Sequence, residues 1–336
     1  MIADDLVIAV LGASGLAAEA LLTSLGESPL GPAVKRAFAS RGSKTESVEV
    51  AGRQIAVEPL TNLGDGDVHL AFSCLPFAVA QKVAAALAMR GVIVVDVGDN
   101  LAGVSDAPLV LPGVFMADPR EVASAGIVRT PSPAGWLLAR LVAPLRDVGL
   151  TGVSGVVNLP AGAWGRAAIE ELSEQVVASF NLKEPPRRLF AEGLAFDTLI
   201  DDTDAGEWSA REQLAAAEVL ALTGVERVGV QVVTQPLFAG ASLGLHLRGS
   251  GLDVDAAEAA WNASPGVKAV QQPSALRPRK AIGKRSVFYG ALRPDPAGDG
   301  VHVWAVADTT MGAAGEVPVK VAEWLVQAGV VGGPHA

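Results

Sequence analysis

One cysteine, four histidines and one tyrosine occur in 336 residues. The lone thiol, Cys74, excludes an internal disulfide and any cysteine-rich metal site, and it suits a reducing, cytoplasmic compartment. Positive charge is scarce as well: 26 lysines and arginines face 36 acidic residues, a net charge of −10. With no basic stripe to neutralise phosphates, neither nucleic acid nor an anionic membrane is an expected partner. No histidine or carboxylate pair has metal-ligand spacing such as H-x-x-x-H, so no metal is expected. Asp201-Asp202-Thr203-Asp204 lacks the glycine and terminal glutamate of a calcium loop and reads as a solvated acidic loop. Residues 6–26 are almost uncharged, but Asp4 and Asp5 stand where a signal segment needs positive charge, and Gly12, Gly15 and Gly26 punctuate the run. No targeting segment is read there.

What the chain does have is apolar bulk: half its residues are hydrophobic. Its length exceeds what one core usually holds, so two domains are expected. Leu6–Leu11 is a continuous apolar run, as in a strand buried on both faces. It leads into Gly12-Ala13-Ser14-Gly15-Leu16-Ala17-Ala18 and a helix through Leu25. Strand, glycine turn and helix together can cradle a pyrophosphate, because the turn brings backbone N–H groups and a helix N-terminus to the anion. Gly12, Ala13, Ser14, Gly15 and Leu16 are therefore candidate cofactor-binding residues; a bare strand–helix turn is the other reading. A second strand ends at Ala37–Arg41, where such folds read the adenosine ribose. The acidic residue for a 2′-hydroxyl is absent, and Ser40, Arg41 and Lys44 suit a 2′-phosphate or form a solvated basic loop.

Val48–Val57 alternates around Gly52 as a hairpin, and strands at Val68–Ser73 and Val92–Asp96 flank a helix at Phe77–Met89. This rhythm predicts an α/β fold with a Rossmann-like, doubly wound parallel sheet over residues 1–130, completed by a C-terminal helix within 313–330. In residues 131–312 a strand is read at 153–159, and strands at 227–234, 242–247, 286–293 and 301–307 lack crossover helices between neighbours. Helices are read at 167–180 and 208–222. A second α+β domain with a mainly antiparallel sheet follows. Between the two domains lies Gly126–Trp136, a short strand that stops at Thr130-Pro131 and then an apolar helix. Ser132 suits the N-cap and Pro133 the first helical position. Such a helix start stabilises anions and thiolates, yet a proline stands there.

Several pieces, in order and spacing, resemble the aspartate-semialdehyde dehydrogenases. They are Gly-Ala-Ser-Gly at 12–15, Arg90–Asp96, Pro108–Pro112, Leu194-Ala195-Phe196, His302–Asp308 and Val321-Ala322-Glu323. The resemblance implies NADP as cofactor, a homodimer formed through the second domain, and a thiolate that attacks an acyl phosphate or aldehyde. The family's nucleophile, in Asn-Pro-Asn-Cys, falls on Pro133 within Thr130-Pro131-Ser132-Pro133. Its general acid/base histidine falls on Ala241, its substrate-orienting glutamine on Leu159, and its carboxylate-binding arginine on Thr234. A phosphate-binding arginine falls on Ala102 and a lysine on Leu214. Glu212 survives, and with Ser132 it would line a substrate-like pocket.

Cofactor positions are eroded less. Ser73 is kept, but the family's Ser-Ala-Gly-Gly loop has become Ser73-Cys74-Leu75-Pro76; an asparagine has become Thr309 and a lysine Gly312. Proline offers no nucleophile and alanine moves no proton. The pattern resembles the Usg-type, semialdehyde-dehydrogenase-like paralogues, which lack the catalytic constellation. The implied function is a catalytically inactive, dimeric binding or regulatory paralogue with a small-molecule or nucleotide ligand. The alternatives are an NAD(P)-dependent oxidoreductase with altered chemistry, needing only hydride transfer, and a subunit that pairs with an active dehydrogenase. Cys74 reads as a core thiol. His69, His246 and His302 read as structural, and His335 as part of a loose tail.

Overall fold

The structure, a computed structural model, describes residues 5–64, 67–103, 107–201, 203 and 206–331. Asp4, Asp202, Asp204 and His335 lie outside the described residues. The chain divides into two compact units, Met1–Ser132 with Ala313–Ala336, and Pro133–Gly312.

The first unit begins with β1 (Ile8–Leu11), α1 (Leu16–Gly26), β2 (Val34–Ala39), β3 (Ser47–Val50) and β4 (Arg53–Pro59). It continues with β5 (Leu70–Ser73), α2 (Phe77–Ala88), β6 (Ile93–Asp96), α3 (Pro119–Ala125) and β7 (Ile127–Arg129). The strand order is β3-β4-β2-β1-β5-β6-β7. All neighbours are parallel except the β3–β4 hairpin, whose turn sets Ala51 and Gly52 at positive φ. All four residues of β1 are fully buried, as an apolar run with parallel partners on both sides requires. β2 and β5 lie on opposite sides of β1, so the strand order reverses there and a crevice opens beyond the carboxyl ends of β1 and β5. The Rossmann-like reading holds.

The second unit holds α4 (Pro133–Val142), β8 (Leu150–Pro160), α5 (Arg166–Phe180), β9 (Leu199–Ile200), α6 (Ala210–Thr223) and β10 (Arg227–Gln235). It goes on through β11 (Ala241–Gly249), α7 (Val254–Asn262), β12 (Val267–Ala269), α8 (Pro278–Ala281), β13 (Val287–Pro294) and β14 (Gly300–Ala307). Its sheet runs β12-β13-β14-β11-β8-β10-β9, parallel at β12–β13 and β8–β10 and antiparallel elsewhere. α4 packs on α6 and β8, and the buried Trp261 of α7 donates its indole N–H to Leu141 O of α4 at 2.8 Å. The final helix, α9 (Val317–Gln327), returns to the first unit and packs on α1 and β6; there the Ser28 hydroxyl donates to Glu323 at 2.5 Å.

Besides the four-residue α8, two helices are absent from the sequence reading, α3 and α7, seven and nine residues long. Both carry an aspartate N-cap, Asp118 accepting from Arg120 N and Asp253 from Ala256 N, each at 2.8 Å. The caps were visible in the sequence; runs of two turns are too short to show a helical period.

Candidate functional site

In the first unit the glycine turn is built as the sequence suggested. Gly12 has φ +79°, and its N–H and that of Ala13 donate to Phe38 O at 2.8 and 2.9 Å. A Cβ at Gly12 would stand 2.7 Å from Cys74 O, so glycine is required by the close approach of the loop after β5. Gly15 begins α1 in an extended conformation with no side-chain cap. A Cβ there would meet only the Gly12 carbonyl, at 3.4 Å. The first turn of α1 thus has room beside Gly15, and the first N–H groups of a helix have no partner within it. Ser14, Gly15 and Leu16 are half-buried, whereas Ser40, Arg41 and Lys44 are exposed after β2. Ala18 is fully buried, filling the close helix–sheet contact of a third glycine.

The ends of β5 and β6 meet at Ser73 and Asp96, which are register partners and buried. Ser73 Oγ and Asp96 Oδ1 have no hydrogen-bond partner, while Asp96 Oδ2 accepts from Leu101 N at 2.7 Å. Burial pushes the Asp96 carboxyl up to about 7; the Leu101 N–H opposes this and the Asp99 charge adds to it. Burial, reinforced by Asp96, also drives the Cys74 thiol well above its ordinary range, so the thiolate needed for attack is scarce. Beside them, Arg129 forms an ion pair with buried Asp99 at 2.9 Å. Thr130 donates its hydroxyl to Asp96 O at 2.9 Å, which ties the loop after β6 to the end of β7.

In the second unit the sheet register brings together three positions singled out by the family resemblance. Leu159 on β8 pairs with Thr234 on β10, and Asn158 pairs with Ser242, which puts Ala241 of β11 next to Leu159. All three are buried. Their side chains are an isobutyl group, a hydroxyl and a methyl. The Thr234 hydroxyl accepts from the Trp164 indole N–H at 3.0 Å. Arg211 lies over the Trp164 ring, 3.4 Å from its centroid, and 3.8 Å from Asp201, so the acidic loop reaches this charge. Glu212 is committed to the backbone: one oxygen accepts from Ser209 N at 2.8 Å and the other from Val232 N at 3.2 Å. With Ser209 Oγ accepting from Glu212 N, it forms a capping box that starts α6 and latches it to β10.

Pro133 is the first residue of α4, and Ser132, buried, precedes it. Two glycines record how the surrounding space is filled. A Cβ at Gly135, in the first turn of α4, would overlap the carboxylate of buried Glu218. A carboxylate from within the unit therefore sits against a helix start that favours anions. A Cβ at Gly312, where the family resemblance placed a lysine, would overlap the indole of Trp136.

The sequence reading also missed two constellations. Glu171 on α5, fully buried, accepts from the N–H groups of Arg188, Leu189 and Phe190 at 3.0, 2.7 and 3.2 Å and so holds the loop after the helix. Glu171 stands beside Glu170 and Glu174 in the same helix, and nothing in their spacing marked it out. On the second sheet, His246 and His302 are cross-strand partners with Asp295 beside them. Spacing rules look along the chain, and these residues meet across it. His69 is structural, its Nδ1 accepting from Val7 N at 3.1 Å.

A parallel sheet with a glycine turn at its reversal point, followed by a mainly antiparallel sheet, defines a two-unit protein with a Rossmann-like domain and an α+β domain. Residues 7–122 match the family described as the semialdehyde dehydrogenase NAD-binding domain, and residues 142–312 the semialdehyde dehydrogenase dimerisation domain. An aspartate-semialdehyde dehydrogenase of Legionella pneumophila is 27% identical over 331 residues, covering 95% of each chain. A USG-1 protein homolog of Azotobacter vinelandii is 27% identical over 333 residues, covering 96% of this chain and 98% of the relative. The solved structure of a probable aspartate-semialdehyde dehydrogenase from Pseudomonas aeruginosa, also 27% identical, superposes with a TM-score of 0.83 over 96% of this chain and 98% of that one. The chain belongs to the semialdehyde dehydrogenase family.

Proposed function

We propose that this chain is a catalytically inactive, dimeric paralogue of the aspartate-semialdehyde dehydrogenases that acts by binding. The observation that carries this reading is the set Pro133, Leu159, Thr234 and Ala241. At these family positions there is no thiol, amide, cation or imidazole. Acyl transfer through a thioester needs a nucleophile and a proton carrier, and none of these four groups supplies either. Cys74 does not stand in, because its thiol is held protonated. Glu212 does not stand in as a base, because both its oxygens already accept from backbone N–H groups.

The ligand we favour is NADP or a related nucleotide. The open start of α1 with Gly12–Leu16 would hold the diphosphate, and Ser40 and Arg41 the 2′-phosphate. When bound, the nicotinamide would supply a hydride acceptor or donor; the chain's own residues bind and orient it. The unpartnered Ser73 Oγ and Asp96 Oδ1, at the strand ends beside that turn, favour a polar ligand there. They also support the second reading, an oxidoreductase needing only hydride transfer. A homodimer formed through the second unit follows the family's dimerisation domain, and the single cysteine suits a cytoplasmic setting.

Purified protein, free of host enzyme, is expected to form no NADPH from NADP, aspartate semialdehyde and phosphate. NADPH fluorescence titration is expected to show saturable binding that weakens on Arg41→Ala. Steady turnover would overturn the inactive reading, and no binding at millimolar cofactor would remove the dinucleotide from both.

A further inference from the structure

β11 and β14 alternate buried residues, such as Leu245, Leu247, Val301 and Val303, with residues of the opposite face. On that opposite face stand His246 and His302, directly paired across the two strands. Their rings stack 4.4 Å apart with planes 8° from parallel. The turn that follows β13 adds Asp295, held by its N–H donating to Gly300 O at 2.9 Å and by its own carbonyl accepting from Gly298 N at 2.9 Å. One Asp295 oxygen lies 3.1 Å from His302 Nε2, and the other 3.5 Å from His246 Nε2. Asp299, from the same turn, stands 3.8 Å from His246 Nε2.

Two features argue against a purely structural cluster. His246 Nε2 is buried yet makes no hydrogen bond, and a buried ring nitrogen left so is costly. The ligand atoms of His246, Asp295 and His302 also lie within 4.8 Å of one another, and turning the imidazoles out of their stack would aim all three at one centre. Two imidazoles and one carboxylate are the donor set that zinc-like ions take with a position left open.

We propose that His246, His302 and Asp295 bind one first-row transition dication, zinc in first place. Water or Asp299 completes its shell. The ion ties β11 to the β13–β14 hairpin, with all its ligands inside the second unit. It makes no demand on the crevice of the first unit, so it stands or falls apart from the proposed function.

The full-length protein, stripped with chelator, is titrated with zinc by calorimetry. One equivalent per chain is expected to bind with micromolar or tighter affinity and to raise the melting temperature. His246→Asn with His302→Asn should weaken binding by more than the roughly 10–100-fold typical of losing a group outside the first shell. His69→Asn should leave it unchanged. No binding by the native chain at 100 µM zinc, taken as a test concentration about a hundredfold above a micromolar constant, would overturn the site, as would equal binding by the double variant. Should that variant fail to fold, cobalt bound to the native chain gives a second reading. X-ray absorption showing two imidazoles per cobalt supports the site, and absorption showing none overturns it.

Discussion

Proline at position 133 suits the backbone of a helix start and, on the proposed reading, stands where the family has its nucleophile. Its ring fixes φ and costs nothing at a position whose N–H has no helical partner. Pro133→Cys should therefore fold, and it should still form no NADPH from aspartate semialdehyde and phosphate. A thiol alone lacks a proton carrier at Ala241 and a cation at Thr234. Turnover above background in a coupled absorbance assay would show that other groups complete the site. Asp96 tests a different property of single residues. Its carboxyl titrates near 7 in the folded chain and near 3.8 in a model peptide, so the folded state holds the proton between those values. Stability attributable to this group is then present below about pH 4 and is lost as pH rises towards 7. Asp96→Asn should flatten the fall in urea midpoint across that window, and an unchanged slope would show that Asp96 is ionised throughout.

At the scale of elements, the start of α4 is shaped by α6. Glu218 on α6 places its carboxylate where any side chain at Gly135 would go. Gly135→Ala gains helix propensity of about 1 kcal/mol at most, whereas overpacking against a charged, buried neighbour costs about 1–3 kcal/mol. A net loss of stability is expected in urea denaturation, and a stabilised variant would mean that Glu218 moves aside freely. The same logic explains Gly312. The lysine that the family resemblance places there would meet Trp136, which fills the space. Neither glycine leaves room for a side chain, so on the proposed reading single reversions are weak tests of the chemistry.

For the whole molecule, the second sheet and its covering helices are complete in a unit that matches the dimerisation domain over residues 142–312. Sedimentation equilibrium at micromolar concentration is expected to give twice the chain mass. A monomer would remove the homodimer, and with it the paralogue as a symmetric binding module. No helix among the described residues is long and apolar enough to cross a membrane. The apolar stretch at residues 6–26 is instead a central strand, a glycine turn and a helix.

Much of this architecture was legible in the residues because it is local. Apolar runs of four to six residues, a glycine turn and helical spacing each report on a few consecutive positions, and they led to both sheets and to the turn at Gly12–Gly15. The residues at 133, 159, 234 and 241 are likewise read from the sequence, where the family resemblance sets them at its nucleophile, glutamine, arginine and histidine positions. Tertiary structure alone decided the rest. Only strand register could bring His246 to Asp295 and His302, which follow it by 49 and 56 residues, and only packing could set Glu218 on Gly135 and Trp136 on Gly312. The same holds for Glu212, a survivor by sequence whose carboxylate serves the capping box and β10. Periodicity says which face a side chain occupies; what it meets there depends on how distant segments are laid side by side.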